Sequence, residues 1–301
     1  MANPDVSAIA SSFVEFGGDI FSKKVVNWKL RELGIQVRTN VNAPQPLTKL
    51  SAVGGPRPYA TGDNTSGNGV KYTDRVLTAY QSKWDHDFDP EEFRNTYLAT
   101  MALEGVGFAQ AANEQIAKEY LAAINNDVLL LGSRNGAGTT AAAIADGWGT
   151  IIAAEITATN ITPVATGALT TANAVTKVEE MVAAFPTWMR EYETPIIMYC
   201  SYATMDKYVA HYRTLNGFKL DTSVKGDYAL DGKNAILRPA SFMKTSGRII
   251  ATVANNLVFG TNIEQMQVAA SVRRNVIESR PMMPVGCQIQ DLDALVVNDQ
   301  A

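Results

Sequence analysis

From Val70 to Phe88 the sequence alternates with period two over about nineteen residues, where ordinary strands have five or six. Tyr72, Val76, Tyr80, Trp84 and Phe88 share one face, and Lys71, Arg75, Gln81, Lys83, Asp85 and Asp87 share the other. At about 3.3 Å per residue such a strand is about 60 Å long. A compact globule of this chain length is only about 50 Å across. The alternation therefore predicts a ribbon that projects from its own subunit. Leu47 to Tyr59 supplies a partner strand, and the stretch from Gly62, Asp63 and Asn64 to Gly69 supplies a turn-rich tip. A two-stranded ribbon is marginal alone, so it needs a surface to lie on. A second copy of the chain is the economical one.

The ribbon runs directly into a helix start. Asp89 is an N-cap type, Pro90 suits the first helical position, and Glu91 and Glu92 face the positive end of the helix dipole. About forty residues rich in Ala, Leu, Met, Glu and Gln follow, ending at Gly132, a residue suited to a left-handed cap. Gly105 and Gly107 each cost about 1 kcal/mol against alanine within a helix. The stretch thus reads either as one long helix with a soft spot or as a short helix followed by a longer one from Val106 to Leu131. Ile116, Tyr120, Ile124 and Val128, with Leu121 and Leu131 beside them, predict one buried face.

Before the ribbon, residues 1–45 read as an arm. Val6, Ile9, Phe13, Phe16 and Ile20 keep a helical spacing broken at Gly17-Gly18, and basic residues gather between Lys23 and Arg38. Such an arm docks either on its own core or on a neighbouring subunit; acidic residues in its polar face argue against a membrane surface. After the long helix, Gly132 to Gly167 reads as an irregular surface insertion with one short strand, anchored by Trp148, Ile151 and Ile152. A helix from near Thr171 (Val175, Val178, Val182, Phe185) then leads into a fully apolar strand, Pro195 to Cys200. Ser201 caps a second helix that Asn216-Gly217 ends. Strands follow at Ile236-Leu237, Ile249–Val253 and Leu257–Phe259, the last two joined by Ala254-Asn255-Asn256 as a hairpin signal. Met266 to Val272 and Val285 to Ile289 alternate, and Leu295–Val297 closes the chain.

Composition narrows the function classes. With 46% hydrophobic and 19% charged residues over 301 positions, the chain has the makings of a sizeable core. A net charge of −4 argues against a dedicated nucleic-acid binder, though not against contact with DNA over one surface. Two distant cysteines exclude a disulfide framework and a cysteine-rich zinc module. No basic n-region opens the chain and no run of about eighteen apolar residues occurs, so neither a secretory signal nor a membrane span is expected.

The chemistry-bearing motifs are weak. Asp85, Asp87, Asp89, Glu91 and Glu92 form the densest acidic cluster, but Pro90 and Thr96 stand where an EF-hand needs glycine and glutamate. The polar face of a strand entering a helix explains the cluster, and His86 reads as a packed side chain. Ser241 and Lys244 match Ser-x-x-Lys without the accompanying Ser-Asp-Asn. Cys200 and His211 suggest a thiolate pair, yet Cys200 and Cys287 both sit in apolar alternation and read as buried thiols. The glycines from Gly132 to Gly138 lack a Walker lysine and a Gly-x-Gly-x-x-Gly pattern. No cofactor, no metal and no enzymatic activity are expected.

The order of arm, projecting hairpin, long helix, inserted α/β unit and returning β segment resembles the major capsid proteins of tailed bacteriophages, an α+β fold of the Hong Kong 97 type. Met181 to Arg190 before Pro195–Cys200 is similar to that family's axial helix and strand, Asn256 to Gly260 to its strand ending in a Phe-Gly turn, and Val285 to Val297 to its closing peripheral strand. The resemblance implies an arm (1–45), an extended hairpin loop (46–88), a peripheral domain with a spine helix (89–167 and 263–301) and an axial domain (168–262). It implies a shell of hexamers and pentamers around double-stranded DNA, found in the virion and assembled in the host cytoplasm. Portal and scaffolding or decoration proteins are the implied partners. No stretch long enough for a fused scaffolding segment is read in the sequence, so a separate scaffold or self-nucleation is expected. Arg57, Gly62, Asp63, Asn64, Lys71 and Arg75 lie on the hairpin without an evident partner in their own subunit and are candidate assembly contacts. Gly105 and Gly107 are candidate bend points of the spine. An encapsulin-type nanocompartment and a small hydrolase are the alternatives.

Overall fold

The computed structural model describes residues 30–52, 70–88, 120, 123–134, 143–191, 194–217, 227–262, 267–273 and 276–300. Most of the arm, the hairpin tip and most of the long helix lie outside the described residues. So do Gly105 and Gly107.

Two sheets and a ribbon account for the strands. A six-stranded sheet is built on β12 (Val276–Ile289), which pairs with β10 (Leu257–Thr261) and β11 (Gln267–Arg273); β1 (Gln36–Arg38) lies beyond β10. β4 (Tyr80–Lys83) and β5 (His86–Phe88) also pair with β12. A five-stranded sheet runs β13 (Leu295–Val297), β9 (Ile250–Thr252), β6 (Ile196–Cys200), β8 (Ala235–Pro239), β7 (Tyr228–Ala229). The ribbon is β2 (Gln45–Ala52) against β3 (Val70–Leu77).

β6 shows why a strand becomes fully apolar. Ile196, Met198 and Cys200 pack into one core with Val178, Met181 and Val182 of helix α2 (Ala174–Ala183) and Tyr208 and Tyr212 of helix α4 (Tyr202–Asn216). Ile197 and Tyr199 enter the other core, with Phe242, Ile250, Phe259 and Ile289. Burial on both faces removes the need for alternation. α4 begins and ends as the sequence predicts: Ser201 Oγ accepts from the Thr204 N–H at 3.3 Å, and Gly217 closes it at φ 72°. A short helix α3 (Thr187–Arg190) precedes β6.

Several sequence expectations are corrected. The alternation from Val70 to Phe88 is not one strand: β3 ends at Leu77, and β4 and β5 leave the ribbon to join β12. The cause is a pair of facing glycines, Gly260 and Gly286. Leu77 is seated over Gly260, and the Thr78 carbonyl lies 2.3 Å from where a Gly286 Cβ would stand. The chain descends onto the sheet there, staying extended as it changes partner. Gly286→Ala should therefore cost about 1–3 kcal/mol through overpacking, read as a lower urea midpoint; an unchanged midpoint would rule out this crossing.

The Ala254–Asn256 hairpin is also absent. β9 pairs with β6 and β13, β10 with β1 and β12, so residues 253–256 carry the chain from one sheet to the other. Asn255 turns it at φ 66°, its N–H bonded to the Gly34 carbonyl at 2.7 Å. Leu295–Val297 likewise pairs with β9 rather than with the six-stranded sheet.

Third, the supposed insertion holds helix α1 (Trp148–Thr157), whose Trp148 and Ile152 are fully buried. Small residues hid it: a Gly149 side chain would collide with the Leu130 carbonyl. Last, Gly132 is not a left-handed cap. It is needed for close approach, since a Cβ there would stand 2.4 Å from the Ala145 carbonyl. Of the long helix, Tyr120 and residues 123–127 are described as helical; Tyr120, Ile124 and Val128 are buried as predicted, while Leu131 is exposed.

Candidate assembly surface

The ribbon register separates two faces. Pro46 faces Val76, Thr48 faces Asp74 and Leu50 faces Tyr72. Directly opposed residues share a face, and all six of these are exposed. Leu50 is 62%, Tyr72 67% and Val76 50% exposed, half of the six large apolar side chains that stand open among the described residues. Apolar area left open on a rigid face is characteristic of an interaction site.

The opposite face is held down. Leu47 and Leu77 pack with Val41 and Val258. Lys49 Nζ lies 2.6 Å from Asp291 Oδ1 and 2.6 Å from Asp293 Oδ2. Partial burial disfavours the ammonium, but its bonds to the two carboxylates outweigh that and raise its pKa. On the other strand Arg75 Nη2 lies 2.8 Å from Glu155 Oε1 and 3.0 Å from Gln288 Oε1. Burial would push the Glu155 carboxyl up; hydrogen bonds from Asn160 and Arg75 hold it below its ordinary range instead.

Arg75 is thus a correction: it has partners in its own subunit, because the ribbon root lies over α1, a helix the sequence did not reveal. Lys71 is exposed on β3. Arg57, Gly62, Asp63 and Asn64 lie outside the described residues. Lys49, Gln288, Asp291 and Asp293 were missed, and no local signal marks them, since their contacts span more than two hundred positions.

The weak motifs resolve into structural roles. Ser241 Oγ accepts from Asn125 Nδ2 at 2.8 Å, while Lys244 Nζ pairs with Asp127 at 2.8 Å, so each ties residues 123–127 to the turn Ser241–Met243. His211 Nδ1 accepts the Val175 N–H at 3.0 Å, capping α2. Burial pushes the Cys200 thiol up to about 12 and raises Cys287 as well, so neither is a ready nucleophile. A hydrogen bond from Lys83, with Arg280 nearby, holds the Asp85 carboxyl below its ordinary range. Among the described residues no group of three His, Cys, Asp or Glu side chains is placed to hold a metal ion. Among them, too, no helix is long and apolar enough to cross a membrane.

No family model matches the chain. No curated protein matches it by sequence. Solved structures do. The capsid of Myoviridae phage XM1 superposes with a TM-score of 0.54 at 12% identity, covering 93% of this chain and 94% of that one. The satellite phage P4 procapsid, which includes a size determination protein, gives 0.52 at 10% identity over 99% and 91%. The chain has the fold of the tailed-bacteriophage major capsid proteins. The holo-SrpI encapsulin complex from Synechococcus elongatus PCC 7942 shares this capsid fold, with a TM-score of 0.52 at 11% identity over 99% and 96%. Within the capsid fold, the mixed sheets and helices described above make the chain α+β.

Proposed function

We propose that the chain is a shell subunit that self-assembles into an icosahedral particle of hexamers and pentamers enclosing double-stranded DNA. The observation that carries this reading is the open face of the ribbon: among the described residues Pro46, Leu50, Tyr72 and Val76 stand exposed side by side. Such a face on a capsid fold is suited to lie on a neighbouring copy. Arg57, Gly62, Asp63 and Asn64 toward the tip would extend that contact, Lys71 would add one from the ribbon's other face, and Gly105 and Gly107 would let the spine helix bend between hexamer and pentamer positions.

The division into arm, hairpin, peripheral and axial units belongs to this proposal. On this reading Leu257–Thr261, which pairs with β12, would go with the peripheral unit, and Leu295–Val297, which pairs with β9, with the axial one. Portal and scaffolding or decoration proteins would be its partners, and the host cytoplasm the place of assembly.

A second reading, an encapsulin-type nanocompartment, is favoured by the near-complete coverage of the Synechococcus chain. Neighbouring genes separate the two: portal and terminase against an enzyme cargo. The shell reading itself is tested by light scattering and negative-stain microscopy of the purified chain. Megadalton closed particles are expected. A population that stays monomeric or dimeric under all assembly conditions would overturn it, and a small oligomer with measurable turnover would restore the hydrolase.

A further inference from the structure

The chain crosses between the two sheets at 253–256, from β9 to β10, and again at 290–294, from β12 to β13. Buried Asn256 locks the crossings together. Its Nδ2 donates to the Asp291 carbonyl at 2.8 Å and to Thr252 Oγ1 at 2.7 Å, and its Oδ1 accepts the Asp291 N–H at 2.7 Å. Thr252 Oγ1 in turn donates to the Ala294 carbonyl at 2.7 Å.

Both ribbon strands are fastened to that same segment. From β2, Lys49 reaches the carboxylates of Asp291 and Asp293, and the Asp293 N–H donates to Asp291 Oδ1 at 2.9 Å, which sets the two carboxylates side by side. From β3, the Val76 carbonyl accepts from Gln288 Nε2 at 2.8 Å. Arg75 donates to the Oε1 of the same Gln288. The root of the ribbon thus rests on the piece of chain that sets how one sheet meets the other.

We propose that the tilt of the ribbon and the junction of the two sheets are energetically coupled through residues 288–293, so that displacing either shifts the other. Coupling of this kind is reciprocal. It is a property of the subunit, independent of whether the chain builds a shell.

Amide hydrogen exchange of the full chain, with variants compared at matched assembly state, tests it in both directions. Lys49→Met removes the clamp without touching Asn256. Exchange should rise about tenfold, the worth of a charge-assisted hydrogen bond, in the ribbon and also at the crossing amides of Gln290 and Asp291. Asn256→Ala makes no direct change to the ribbon, yet should raise exchange at Lys49 and Thr73 by a similar factor.

A rise confined to the side that carries the substitution would overturn the proposal. If Asn256→Ala does not fold, ionic strength replaces it. Raising salt from about 0.05 M to about 0.5 M screens the partly exposed Lys49 pairs and should loosen ribbon and crossing together in the unmodified chain, and by clearly less in Lys49→Met, where the Arg75–Glu155 pair is left to screen. Salt acting on the ribbon alone would overturn it as well.

Discussion

Replacing Trp148 by alanine is expected to lower subunit stability by about 3–5 kcal/mol, the range for deleting a buried Trp or Phe side chain. That is a large share of a total of about 5–15 kcal/mol. The indole is wholly buried, meets the Phe242 ring edge-on at 5.2 Å between centroids, and donates from Nε1 to the Gln288 carbonyl at 3.2 Å. Its loss opens a cavity where α1, the six-stranded sheet and the Ser241–Met243 turn meet, and it leaves a carbonyl of the ribbon-anchoring residue without that donor. Urea unfolding followed by circular dichroism measures the cost. Leu131→Ala is the control, because that side chain is exposed and its removal should stay within about 0.5 kcal/mol. Equal midpoints for the two variants would show that Trp148 does not hold this core.

The second large effect falls on assembly and spares folding. Leu50→Glu combined with Val76→Lys places two charges on the open ribbon face without setting them directly opposite one another. Both side chains are exposed in the subunit, so the urea midpoint should barely move. If a neighbouring copy covers this face, burying the two side chains contributes about 2–4 kcal/mol per contact, and the change weakens each contact on the order of 100-fold. Particles should disappear while soluble subunit remains. Particles that form at the unmodified yield would show that the face is not an interface.

The contrast between these two sites reflects what a sequence carries. β6 and α4 were readable because their signals are local: an unbroken apolar run marks a strand buried on both faces, and Ser201 and Gly217 mark the ends of a helix. Pairing partners were not readable. Alternation runs from Val70 to Phe88 because the chain stays extended, and nothing in that pattern records the change of partner at Leu77; Gly260 and Gly286 permit the change from far along the chain. Ala254-Asn255-Asn256 announces a turn in direction, yet the turn leads into another sheet. Helix α1 escaped notice because it buries only Gly149 beside two large anchors, Trp148 and Ile152, while Ala153 and Ala154 lie exposed. A two-stranded ribbon was foreseen, and so was the shared face of Tyr72 and Val76. The residues that hold it down were not, since Lys49 and Asp291 meet only once the fold exists.

The most direct measurement is an electron cryo-microscopy reconstruction of particles formed by the purified chain. A closed icosahedral shell is expected, with hexamers and pentamers of one subunit, in which Leu50, Tyr72 and Val76 of each copy are seated on the copy beside it. A chain that forms no closed shell, or a shell in which that ribbon face stays open to solvent, would refute the assignment of the ribbon as the contact that joins subunits.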